Sequence, residues 1–262
     1  MTVTFYRSLW GPLGFDGDIS GLPAICQETV RRGFAGVETN PLLLGKDPDE
    51  ARKVIEDHGL KFLARAHTLG RTVEEHVGWM KRCVDLASLF GSPHVIVQSG
   101  ADWFTDAQID QYFAAANEIE AASGLRLAHE THRSCILYSP RETARVLDRF
   151  PDLWLASDYS HWVIVTESLL EMVGPTLERC APRTIHIDAR VGSAEAPQVG
   201  DPRTAPETPA FDGYWDQIHA ETPGDLTVVP EFGPPPYEPT GAADRDDICQ
   251  WMVSHLRDRW SL

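Results

Sequence analysis

The chain lacks any paired pattern of cysteines. Its five cysteines (Cys26, Cys83, Cys135, Cys180 and Cys249) are odd in number, scattered and never spaced C-x-x-C. That excludes a disulfide framework and a thiolate metal site, and it predicts free thiols in a reducing, cytoplasmic setting. No apolar run approaches the roughly 18 residues of a membrane span. The N-terminal MTVTFYRSLWG has no basic stretch leading into an apolar one, so no secretory signal is expected. Basic residues are scarce: 23 Lys and Arg stand against 39 Asp and Glu, a formal net charge of −16. So acidic a surface repels phosphate backbones and anionic membranes, whose binding rests on Lys and Arg. Neither nucleic acid nor membrane is therefore an expected partner. The glycine-rich first turn of a dinucleotide-binding open sheet is missing as well, because SLWGPLGFDG is not G-x-G-x-x-G.

What is present is a regular alternation along 262 residues. Short runs of β-branched and aliphatic residues (VTFYRSLW, FAGVET, KFLARAHT, PHVIVQSG, LRLAHET, LWLASDYS, RTIHIDA and LTVVPEF) are separated by segments with helical spacing. In VEEHVGWMKRCVDLASLF, the residues Val73, Val77, Met80, Val84 and Ala87 recur at steps of three and four and share one face. Eight strand-helix units without a break in composition predict a single (β/α)8 barrel over residues 1–262, in preference to a doubly wound sheet. One long connection, 189–209, rich in Pro, Gly and Ala, follows the seventh strand. Its place at the strand's C-terminal end predicts a lid or binding loop.

The strand ends are where the chemistry collects. The second strand ends at Glu38, the third at His67, the fourth at Gln98, and the fifth at Glu130 and His132. The sixth ends at Asp158 followed by His161, the seventh carries His186, Asp188 and Arg190, and the eighth stops at Glu231. Alternation along a strand puts Glu130 with His132, and His186 with Asp188 and Arg190, on common faces. In a closed barrel these ends converge on one mouth. Carboxylates so gathered repel one another, and a divalent cation would remove the conflict. An oxygen-rich set with one imidazole suits Mn²⁺, Mg²⁺, Co²⁺ or Zn²⁺.

The order of HETHR, SDYSHW, IHIDARVG and VVPEFG resembles the xylose-isomerase-like barrel family, which contains sugar isomerases, epimerases and endonuclease IV relatives. The resemblance runs from the first strand to Glu231. It implies one metal ion held by Glu130, Asp158, His186 and Glu231, with His161 and Arg190 on substrate oxygens. The endonuclease branch is disfavoured: where it has a histidine at the end of the fourth strand, this chain has Gln98, and no D-x-H pair lies between His186 and Glu231.

The expected activity is a metal-dependent isomerase or epimerase of a sugar or related keto-polyol. Glu130 and Glu231 would exchange a carbon-bound proton through a metal-stabilised enediolate. A lyase or dehydratase using the same enolate is the alternative. His67, His132, Glu38, Gln98 and Asp188 are expected near substrate or behind the metal ligands, and Trp10 as an apolar wall for the sugar. The expected partner is a small carbohydrate-like molecule, and the sequence is compatible with a homo-oligomer.

Overall fold

The computed structural model describes residues 1–13 and 18–262; part of the SLWGPLGFDG turn falls outside the described residues. Eight parallel strands close on themselves in chain order. They are β1 (Val3–Ser8), β2 (Gly36–Thr39), β3 (Lys61–His67), β4 (Val95–Gln98), β5 (Leu127–Glu130), β6 (Trp154–Ser157), β7 (Thr184–Asp188) and β8 (Leu226–Val229). The closing pair is β1 with β8, in the register Val3↔Leu226, Thr4↔Thr227 and Phe5↔Val228. The expected (β/α)8 barrel is therefore the architecture found.

Several of the helices between strands begin where the sequence offers a side-chain cap. Helix α3 (Val73–Leu89) opens on a capping box in which Thr72 and Glu75 exchange hydrogen bonds. Helix α4 (Asp106–Ser123) opens on the equivalent pair, Thr105 and Gln108. Val73, Met80, Val84 and Ala87 of α3 are buried against the barrel, as their spacing requires. The main core lies between the strands and this outer helical layer. A smaller one fills the barrel itself, built from Tyr6, Leu63, Ile96, Ala128, Ala156, Ile185 and Val229.

One irregularity sets the level of the site. Between β6 and β7 the pairing steps from Leu155↔Thr184 to Ala156↔His186, leaving Ile185 unpaired. A bulge of this kind changes which residues face inward. Ile185 joins the inner apolar core, and His186 bonds Thr227 and Asp188.

The 189–209 connection is held in place. Gln198 is buried, accepts from the Gly233 amide at 2.7 Å and donates to the Gly233 carbonyl at 3.3 Å. The Val199 amide donates to Val191 at 2.9 Å. Among the described residues, no helix is long and apolar enough to cross a membrane.

Candidate active site

A cavity of about 290 Å³ opens at the C-terminal ends of the strands. Its polar lining includes Glu38, Arg65, His67, Gln98, His132, Arg190 and Glu231. Trp10 and Tyr237 form an aromatic corner of the wall, edge to face with centroids 5.0 Å apart. Of the other tryptophans after strands, Trp162 is core, donating to the Leu137 carbonyl at 2.9 Å, and Trp103 is exposed.

Arg65 is the centre of the site, and sequence reading passed over it. It lies two residues before His67 in β3 and is almost fully buried. Its Nε donates to Glu38 at 2.7 Å. Nη1 donates to Glu130 at 2.5 Å and to Asp188 at 3.3 Å, while Nη2 donates to the other Asp188 oxygen at 2.5 Å. Glu231 stands 3.7 Å from Nη2. Burial works against a charge here, but Asp188, Glu38, Glu130 and Glu231 together outweigh it, and the Arg65 pKa rises well above its ordinary value. The readable signal was a cation inside the apolar run KFLARAHT, on the same face as His67.

Arg190 is the second cation. It pairs with Asp158, donates to the Ser160 hydroxyl at 3.0 Å and to His161 Nε2 at 2.8 Å, and reaches Glu231 at 3.2 Å. Because the guanidinium can only donate, His161 Nε2 must accept, which leaves the proton on Nδ1. That Nδ1 is buried and has no hydrogen-bond partner among the described residues. Burial pushes the His161 pKa well down, with His132 and Arg190 adding to the effect. Burial likewise lowers His67 to about 4 and His132 to about 3. These three imidazoles, His67, His132 and His161, are neutral near pH 7.

Five carboxylates face two guanidiniums, and the surplus of acid shows in their pKa values. Burial and the neighbouring Asp188 and Glu231 lift Glu130 well above the carboxylate range, over the opposing pull of Arg65. Burial raises Asp158. Burial and Asp188 raise Glu231 to about 8, against Arg190 and Arg65. Asp188 goes the other way: Arg65 and His186 overcome the effect of burial and hold it down.

The expected ligands are only partly brought together. Glu130, Asp158 and Asp188 each present an oxygen within 4.8 Å of the others, and Glu130, His132 and His161 form a second such group. Either group could hold a metal ion. His186 belongs to neither. Its Nε2 donates to Asp188 at 3.1 Å and its Nδ1 lies 2.7 Å from the Thr227 hydroxyl, so both ring nitrogens are engaged. Glu231 also stands outside both groups and faces the cavity with Glu38, whereas Glu130 lies behind that lining.

Whether a divalent ion fits depends on what those oxygens already hold. Glu130 and Asp188 accept from Arg65, and Asp158 from Arg190. A divalent ion sharing those oxygens would have to displace the arginine N–H donors and stand beside a fixed positive charge that repels it. The donor chemistry suits a metal, but with Arg65 where it stands the ion does not fit.

A parallel barrel whose strand ends gather acids, imidazoles and arginines round one cavity defines a xylose-isomerase-like barrel. The family model for the xylose isomerase-like TIM barrel matches residues 26–198, and the chain belongs to that family. No curated protein sequence matches it. Among solved structures, the 3-keto-D-glucoside 4-epimerase of E. coli in its apo form is 14% identical, covering 98% of this chain and 100% of that one at a TM-score of 0.65. A probable 3-DHS dehydratase from Bacillus anthracis is 15% identical, covering 99% and 100% at 0.64. A xylose isomerase-like TIM barrel protein from Mycobacterium smegmatis, in complex with magnesium, is 12% identical, covering 97% and 95% at 0.67. At these identities the likeness is one of fold.

Proposed function

We propose that the protein is an isomerase or epimerase, moving a proton on the carbon next to the carbonyl of a small sugar-like or keto-polyol substrate. The observation that carries this reading is the position of Glu231. It is the carboxylate that faces the cavity within reach of both guanidiniums, Nη1 of Arg190 at 3.2 Å and Nη2 of Arg65 at 3.7 Å. A carboxylate with its pKa raised to about 8 is a far stronger base than an ordinary one. The negative charge left on the substrate oxygens would develop beside fixed cations. Neutral His67, His132 and the amide of Gln98 supply further contacts for hydroxyl groups, and Trp10 gives the apolar surface that one face of a sugar requires. The fold relatives named above include an epimerase, in keeping with this chemistry.

Glu130 and Glu231 were expected to exchange the proton between them, neither being assigned as acid or base. In this scheme Glu130, which does not line the cavity, holds the Arg65 guanidinium, and Glu38, which accepts from Arg65 but is also open to the cavity, would carry a proton to the opposite face of the substrate. The expected divalent ion takes no step in this scheme, since Arg65 and Arg190 already occupy the oxygens that would bind it.

The test is incubation with a panel of ketoses and keto-polyols in deuterated water, followed by NMR. Deuterium appearing at a carbon beside the carbonyl, with no loss of water, is the expected result. An unsaturated product would instead identify the dehydratase that the same proton abstraction permits. No exchange with any member of the panel would overturn the reading.

A further inference from the structure

We propose that Arg65 is the resident cation of this site, doing for its carboxylates what a divalent ion would do, so that the protein needs no metal ion to fold or to act. The inference deepens the functional reading above and rests on it only for the reaction itself.

The guanidinium has five N–H groups. Four hydrogen bonds account for four of them, one to Glu38, one to Glu130 and two to Asp188. The two to Asp188 form a fork, the geometry that best fixes a planar cation on a carboxylate. Glu130 and Asp188 are also two of the three carboxylates close enough together to share an ion. Arg65 therefore does for them what a metal would do, cancelling their repulsion and locking their orientation. Its burial means that no water shell competes for the charge.

The remaining N–H is on Nη2, where the nearest carboxylate, Glu231, stops at 3.7 Å. That distance is too long for a hydrogen bond. Arg65 and Glu231 both line the cavity. A substrate carbonyl oxygen seated between them could accept from Arg65 Nη2 while its neighbouring carbon faces Glu231. When the Glu231 carboxylate takes the proton, the C–H electron pair forms the carbon–carbon double bond and the carbonyl pair moves onto the oxygen. Arg65 and Arg190 hold that oxygen by hydrogen bonds. A proton from protonated Glu38 reaches the same carbon from the opposite face as the double bond collapses back and the oxygen pair re-forms the carbonyl, so nothing is oxidised or reduced, Glu231 ends protonated, Glu38 ends ionised and both guanidiniums stay protonated.

The experiment measures metal content, Mn²⁺ binding and stability on the full chain, with activity read separately. Purified without chelator, the wild-type protein is expected to carry far less than one metal ion per chain by elemental analysis. Its unfolding temperature should not move on addition of EDTA. Arg65→Ala removes the cation and leaves its carboxylates in place. It is expected to bind Mn²⁺, read by electron paramagnetic resonance, at least about 100-fold tighter than wild type, and to gain thermal stability from the ion. Arg65→Lys, which keeps a charge, should bind Mn²⁺ no better than wild type and serves if the alanine variant does not fold. One tightly held ion per wild-type chain would overturn the inference, as would Mn²⁺ binding in Arg65→Ala no better than in wild type. Deuterium exchange that requires added metal would also overturn it and leave the isomerase reading intact. A metal-free protein with no exchange on any ketose would do the reverse.

Discussion

Glu231 and Arg190 make the sharpest predictions at the scale of single residues. Glu231 is raised to about 8 by burial and by Asp188, so its base form grows as pH approaches that value. The rate of substrate deuterium exchange should rise about tenfold per pH unit below 8 and level off above it. A rate unchanged between pH 6 and 9 would remove Glu231 as the base. Glu231→Gln should lower exchange by about 10²–10⁴-fold, the usual contribution of a positioned base. Arg190 has a different weight, because it neutralises fully buried Asp158 and also holds Ser160 and His161. Arg190→Met leaves a buried carboxylate without its cation and should cost about 3–5 kcal/mol, measurable by urea unfolding. Arg190→Lys keeps the charge but not the planar fork, so it should recover only part of that loss.

At the scale of elements, the sequence revealed which strand ends carry polar groups but not the height at which each sits. Alternation correctly grouped His186, Asp188 and Arg190 on one face. The bulge at Ile185 is invisible in a string of residues that reads as an unbroken strand, yet His186 is tied down through Thr227, whose hydroxyl also lies 3.2 Å from His94 Nε2. Asp188 is left to meet Arg65. Arg65 was hard to see for the converse reason: one cation in an apolar strand gives no hint of the partners it meets across the barrel, at Glu130 and Asp188. The 189–209 connection was legible as a long loop after the seventh strand, while its anchoring by Gln198 was not. Gln198→Ala would leave the Gly233 amide and carbonyl without their partner, at a cost of about 1–3 kcal/mol. Hydrogen exchange at the Gly233 amide should quicken, and limited proteolysis should find new cuts between 193 and 206. Protection identical to wild type would mean that the loop is held by other contacts.

For the whole molecule, the barrel was legible because eight apolar runs alternate with eight amphipathic segments, a pattern few other folds satisfy. The balance of buried charge was not, since it depends on distances across the mouth. That balance should appear in the stability of the entire fold. Glu130 and Glu231 have pKa values raised by folding, so the native chain retains protons that the unfolded chain releases above about 4.5. Their contribution to stability is fully present below the unfolded pKa and is lost as pH rises through the folded one, which for Glu231 is about 8. Asp188, held down by Arg65 and His186, has the opposite sign; its contribution is present above its unfolded value of 3.8 and falls away only in stronger acid. Below about pH 6.5 the buried His67, His132 and His161 act in the opposite sense, because the unfolded chain protonates them and the native chain does not; above about pH 7 only the raised carboxylates act, and the urea midpoint should fall between pH 7 and 8.5. Each pKa unit corresponds to about 1.4 kcal/mol, and relaxation round the site reduces the total, so a loss of about 1–3 kcal/mol is expected. Glu231→Gln cannot release a proton and should flatten the decline, standing above wild type at pH 8.5 and close to it at pH 5. A wild-type midpoint that rises with pH over this range would show that the carboxylates at the mouth are already fully balanced by cations, and the surplus of acid inferred from the geometry would not exist.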